Sequence, residues 1–200
     1  MKLRVLPVLV ACAALVSPVT AHAQMRPAPF AETSLLVDSD YAAGGEHGLT
    51  QTAGTSAAFG VPFTHRFSLR FGIDIPQRHS DEDLAGTWTS RTTTYSVLLA
   101  RDYRQTDRVQ FAFLVGVGIM KTSEQLTNRQ KGWESLPSSK SSTWFAPTIG
   151  FQVPILLTRH LALVPQFRWH SGLVGLLMNE SSHDQSRDLR RGMAGIRWRF

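Results

Sequence analysis

Apolar and polar residues alternate along much of this chain with a period of two. Phe67, Leu69, Phe71, Ile73 and Ile75 are interleaved with Ser68, Arg70, Gly72, Asp74 and Pro76. A strand with one apolar face follows directly, because successive side chains of an extended chain point to opposite sides. The period returns from Val109 to Met120, in Phe145, Ile149, Phe151 and Val153, in Leu161, Leu163, Phe167 and Trp169, and in Ala194, Ile196, Trp198 and Phe200. Weaker forms occupy Gln51 to Phe63 and Arg91 to Arg101. These segments predict seven strands. An eighth is required if both ends of the sheet are to lie on one side of a membrane, and Glu32 to Asp40 is the only segment that can supply it, despite poor alternation.

The links between these strands sort by length. Phe63 to Arg66, Asp102 to Asp107 and Leu156 to His160 are short, whereas Tyr41 to Gly48, His79 to Ser90, Thr122 to Ser142 and Gly175 to Asp188 are longer and polar. Strict alternation of short and long is the habit of a transmembrane barrel, with short periplasmic turns and long outer loops. The predicted class is therefore all-β, an antiparallel up-and-down transmembrane β-barrel of about eight strands.

A soluble secreted barrel that carries a small ligand shows the same alternation with the apolar face turned inward. The polar faces weigh against it. Lys121, Lys131 and Lys140 lie in or beside a single long link, and Glu46, Glu82, Glu124, Glu134 and Glu180 also fall in links. Strand positions opposite the apolar face are Gly, Ala, Ser and Thr with a few Arg, Asp, Gln and His, a mixture suited to the crowded interior of a narrow barrel. Pro76, Pro147, Pro154 and Pro165 each remove a ladder donor, so bulges or strand ends are expected there.

Ahead of the strands, Met1-Lys2-Leu3-Arg4, an apolar run from Val5 to Val16 and Ala21-His22-Ala23 form the three regions of a secretory signal peptide. The run is shorter than the ~20 residues of a spanning helix. Residues 1–23 are read as that signal, 24–30 as a short periplasmic tail and 31–200 as the barrel. The single cysteine, Cys12, falls in the signal and leaves no disulfide, thiol nucleophile or cysteine metal site to the rest. Without Lys2 and Arg4 the remaining chain carries 19 basic against 15 acidic residues. After export, anionic lipid headgroups, lipopolysaccharide among them, are a better counter-charge than nucleic acid.

The chain stops at Gly195-Ile196-Arg197-Trp198-Arg199-Phe200. This ending resembles the C-terminal strand of bacterial outer-membrane barrels, and the whole pattern resembles the eight-stranded OmpX, OmpA-domain and opacity-protein group. The resemblance implies an outer-membrane location and recognition of Ile196, Trp198 and Phe200 by the barrel-insertion machinery.

Candidate chemistry falls in three places. Arg70, Asp74, Gln152, Gln166, Arg168, His170, Arg197 and Arg199 share the predicted interior face and suggest a polar network filling the lumen. Arg129, Lys131, Trp133 and Lys140 in the Thr122 to Ser142 link suit lipopolysaccharide phosphates or an external partner. Third, Phe167-Arg168-Trp169-His170-Ser171-Gly172 is similar to the catalytic strand of outer-membrane lipid A deacylases. Their His and Ser lie two apart on one face, however, while here His170 and Ser171 are adjacent and Gly172 takes the serine's place, which removes the nucleophile geometry, even with Glu180 as a candidate acid. His47, His79 and His183 lie near Glu46, Asp81, Glu82, Asp83 and Asp184 without metal-ligand spacing. No cofactor, metal or catalytic residue is expected, and the function that remains is a structural, adhesive or surface-contact role through the outer loops.

Overall fold

The computed structural model describes residues 28–42, 50–83, 86–104, 106, 108–128, 130–132, 137–171 and 187–200. The expected signal peptide, residues 24–27, and the positions of Arg129, Trp133, His47, Glu180 and His183 lie outside them. Ten strands are present among the described residues: β1 (Phe30–Ala42), β2 (Thr50–Pro62), β3 (Phe67–Pro76), β4 (His79–Asp83), β5 (Gly86–Arg104), β6 (Gln110–Thr127), β7 (Ser139–Gln152), β8 (Ile155–Leu156), β9 (Leu161–His170) and β10 (Arg187–Arg199). No helix here is long and apolar enough to cross a membrane. Each strand pairs antiparallel with its neighbour, and β1 closes on β10 from Phe30 opposite Arg199 to Ala42 opposite Arg187. With β4 continuing β3 and β8 continuing β7, the sheet is a closed eight-stranded up-and-down barrel.

Closure is what lets an apolar face turn outward, since no strand edge is left to meet lipid. Leu35 is 72% exposed, Val117 51%, Phe145 56% and Ile196 51%. The opposite side chains, among them Glu32, Arg70, Asp74, Arg168 and Arg191, are buried. A soluble barrel would reverse this. The weakly patterned first strand is real and begins at Phe30, one residue inside the expected tail. Its alternation is blurred because Leu36, beside the outward Leu35, points into the interior and is fully buried.

The three short turns lie at one end, together with the first residues of β1 and the chain's last residue, whose N–H donates to Pro29 O at 3.1 Å. They share one construction. In Thr64-His65-Arg66-Phe67 the threonine Oγ1 accepts the N–H groups of Arg66 and Phe67 at 3.2 and 3.0 Å. Thr106 does the same for Arg108 and Val109, and Thr158 for His160 and Leu161. Threonine suits this place because its hydroxyl caps turn donors that no strand can satisfy.

Two expectations change at the other end. His79 to Ser90 is largely a hairpin of β4 with β5, and the Thr122 to Ser142 link is shortened because β6 runs on to Thr127 and β7 starts at Ser139. Lys140 is therefore a strand residue, in register with Glu124. These extensions were read as loops because their serines and threonines show no apolar alternation. An outer face that meets water needs none, although the inward Thr122 and Leu126 are buried.

Prolines behave differently from expectation too. Pro76 ends β3, and Pro154 lies in the gap between β7 and β8, but Pro147 and Pro165 are inside strands. They end the pairing instead of the strand. Pro147 O accepts Ser171 N at 3.0 Å and Pro165 O accepts Val153 N at 2.9 Å, so both missing donors fall on the β7–β9 seam. Between them the ladder holds only Thr148–Gln152 against Gln166–His170.

Candidate functional site

The interior is layered. At the turn end sit Leu98, Ala100 and Leu114, with Leu156, Ala162 and Val164. Towards the loop end Met120, Ala146 and Leu189 pack with Trp144. The charged middle lies between these apolar groups, and it contains two linked clusters.

The first cluster centres on Glu32 of β1. Its Oε1 accepts Arg70 Nη2 at 2.5 Å and its Oε2 accepts Arg197 Nε at 3.0 Å. Gln152 Oε1 accepts Arg197 Nη2 at 2.7 Å and also a bond from Arg70. The Arg197 guanidinium lies 4.0 Å from the centre of the Phe30 ring, which lets an aromatic face shield a buried cation.

In the second, Asp74 of β3 accepts Ser56 Oγ at 2.6 Å, Arg191 Nη1 at 2.9 Å and Arg168 Nη1 at 3.0 Å. Arg191 also forks onto Asp38 through Nε at 2.7 Å and Nη2 at 3.2 Å. Among the described residues, Arg70, Arg168, Arg191 and Arg197 are buried with Glu32, Asp38 and Asp74. Cations thus outnumber carboxylates in the core. Among the described residues Arg168 is the least well served, since its Nε and Nη2 have no hydrogen-bond partner there.

Arg70, Asp74, Gln152, Arg168 and Arg197 meet in this network as the alternation implies. Gln166 is buried with its side-chain N–H donating to Met193 Sδ at 3.4 Å, outside both clusters, and Arg199 sits apart at the turn end on Gln110 Oε1 at 3.0 Å. His170 is buried in the interior with its Nδ1 2.8 Å from Thr148 Oγ1. Ser171 follows beyond the end of β9. Sequence reasoning missed Glu32, Asp38 and Arg191. The signal was present in the continuation of period two through Glu32-Ser34-Leu36-Asp38 and through Leu189-Arg191-Met193.

At the loop-end mouth a cavity of about 50 Å³ is lined by Asp38, Gln77, His79, Ser90, Arg91 and Thr92 among others. It has room for a few waters. No group of three or more His, Cys, Asp or Glu able to hold a metal occurs among the described residues.

Beyond the mouth, the outward rows change character abruptly. Tyr95, Ile119 and Phe145 are aligned across β5, β6 and β7, and the next outward row is Thr93, Lys121 and Thr143. From Ile119, β6 continues to Thr127, about 26 Å along the strand at ~3.3 Å per residue. The β4–β7 strands thus form a polar sheet standing clear of the apolar belt. Lys131 is exposed near its tip. At the opposite end Trp198 and Phe200 are exposed on the outer surface, with Ile196 above them.

By sequence, no protein family and no curated protein is matched. By structure the chain is similar to the attachment invasion locus protein Ail of Yersinia pestis, at 13% identity and a TM-score of 0.58, covering 88% of this chain and 100% of that one. Ail has also been solved in complex with the heparin analogue sucrose octasulfate. Neisserial surface protein A is similar at 9% identity and a TM-score of 0.66, covering 86% and 97%. OprG of Pseudomonas aeruginosa follows at 10% and 0.60, covering 88% and 97%. At these identities the likeness is one of fold, and the fold is that of small outer-membrane β-barrels.

Proposed function

We propose that the protein is an integral outer-membrane barrel whose projecting β4–β7 sheet makes contacts outside the cell. The observation that carries this reading is the boundary between the Tyr95/Ile119/Phe145 row and the Thr93/Lys121/Thr143 row, past which strands persist where a purely membrane-filling protein needs only a turn. A hydrogen-bonded sheet presents its side chains with less ordering cost than a free loop. Lys121, Lys131, Lys140 and Arg91 give it cations that suit sulfated or phosphorylated polysaccharides, lipopolysaccharide included. In this reading the turn end faces the periplasm, and the outward Ile196, Trp198 and Phe200 serve the insertion machinery.

The packed interior supports contact over transport. The enclosed His170, bonded to Thr148, supports a role without catalysis. The test expresses the full chain, and a variant whose strands are rejoined just beyond Thr93, Lys121 and Thr143, on whole cells. Adhesion to heparin-coated against uncoated surfaces is then measured. Loss of adhesion in the shortened, still inserted variant is expected; equal adhesion of both would refute the role given to the sheet.

A further inference from the structure

The turn end carries its own chemistry, on the outside wall. Arg101 of β5 belongs to the outward, lipid-facing row, in register with Phe67 on one side and Phe113 on the other. Its guanidinium lies 5.8 Å from the Phe67 ring centre and 4.9 Å from that of Tyr103. Phe63 stacks on Phe67 at 6.1 Å and extends the aromatic surface. The β2–β3 turn brings the Arg66 backbone beside the residue after Arg101, because Arg66 O accepts the N–H of Asp102 at 2.7 Å. Among the described residues no carboxylate pairs with Arg66 or Arg101, and both are exposed.

An arginine on a lipid-facing wall is tolerated only near the interface, where its stem lies along apolar surface and its head reaches the phosphates. The aromatic neighbours mark the same depth, since such rings gather at membrane–water boundaries. Arg66 adds a second cation from the water side. A phosphodiester beside Arg101 would meet its planar donors, with the exposed Arg66 on the adjoining turn as a second cation, while its acyl chains run up the wall past Phe71 and Val97.

We infer that Arg66 and Arg101, framed by Phe63, Phe67 and Tyr103, form a binding site for the headgroup of an anionic phospholipid in the periplasmic leaflet. The site rests on the outer-membrane placement but not on the adhesive reading of the other end. A cell-wall polymer fits less well. Arg101 points into the bilayer boundary, which lipid reaches and a polymer in the periplasm does not.

The test uses the folded full chain in neutral detergent, with phosphatidylglycerol or phosphatidylcholine added, and reads bound lipid by native mass spectrometry. Phosphatidylglycerol should be retained preferentially. Arg101→Gln and Arg66→Gln should each lower its retention about fivefold, the effect of one interfacial cation, and Arg159→Gln in the β8–β9 turn should lower it far less. Gel mobility without boiling confirms that each variant is folded. Should Arg101→Gln fail to fold, Arg101→Lys replaces it, with retention expected between wild type and Arg66→Gln. Equal retention of the two lipids, or unchanged retention in both glutamine variants, overturns the site. So does displacement of the lipid by millimolar inorganic phosphate, or co-sedimentation with purified cell wall that Arg101→Gln abolishes while lipid retention stays constant.

Discussion

Replacing Asp74 by asparagine tests the logic of the interior. The side chain is fully buried and accepts bonds from Ser56, Arg191 and Arg168 at 2.6, 2.9 and 3.0 Å. Arg191 keeps Asp38 when the charge is removed, but Arg168 loses the only carboxylate it bonds among the described residues, in a core already richer in guanidinium groups. Breaking a buried pair from one side costs about 3–5 kcal/mol, because the remaining charge stays buried. With a urea slope of ~2 kcal/mol/M, the unfolding midpoint should fall by about 1.5–2.5 M.

The same argument fixes the sign of a second substitution. Arg168→Met removes the surplus cation and leaves Asp74 with Arg191 and Ser56, so it should cost clearly less than Asp74→Asn. The double variant should recover at least half of the single loss, a coupling of about 2 kcal/mol. The assay is urea unfolding of the refolded barrel in lipid vesicles, followed by tryptophan fluorescence and by gel mobility without boiling. A double variant less stable than Asp74→Asn alone, or an Asp74→Asn midpoint within experimental scatter of wild type, would refute the view that charge balance governs this core.

Three further outcomes follow from the geometry. Val117→Arg, on the outward face at mid-belt, should destabilise by about 2–4 kcal/mol, whereas Ser123→Arg on the projecting sheet should shift stability by less than ~1 kcal/mol; similar losses in one vesicle unfolding series would contradict the placement of the belt. Amide exchange should be fastest along the β7–β9 seam, and Pro165→Val, which restores a donor opposite Val153, should slow it there; uniform protection around the barrel would show that the prolines do not weaken the seam. Deleting Phe200 should lower the yield of inserted protein in cells without changing the mobility of what does insert, and normal insertion would remove the role given to that residue.

What could be read from the chain depended on whether one face met lipid. Strands β3, β6 and β9 were legible because lipid demands apolar residues at every second position. β4 and the loop-end halves of β5, β6 and β7 were not, because an outer face in water imposes no such rule. The interior was half legible for a related reason. Arg70, Asp74 and Arg168 stood out against clear outward hydrophobics, but Glu32 and Asp38 sat on a strand whose pattern was interrupted by the inward Leu36. Arg191 was missed because its neighbours Arg190 and Gly192, the outward residues there, are not apolar. The Thr64, Thr106 and Thr158 turns repeat over only four residues, and their common role is visible only once all three lie at one end.

The interior also shows how the two halves of the wall depend on one another. The long charged side chains come from β1, β3, β9 and β10. The facing strands β5, β6 and β7 contribute small residues at matching depths. A Cβ added at Gly118 would lie 3.2 Å from His170 Nδ1, 3.2 Å from Thr94 Cγ2 and 3.3 Å from Thr148 Oγ1, and one at Gly150 would lie 2.3 Å from the Phe167 backbone oxygen as well as 3.3 Å from Arg168 Cγ. The width of an eight-stranded barrel is set by its strand number, so volume spent on arginines by one half must be released by the other. Glycine in β6 and β7 weakens those strands locally, yet it makes the space in which Arg168 and His170 lie down across the lumen. Small residues that read as weak strand formers are therefore the complement of the charged network, and a change in either half is felt in the other.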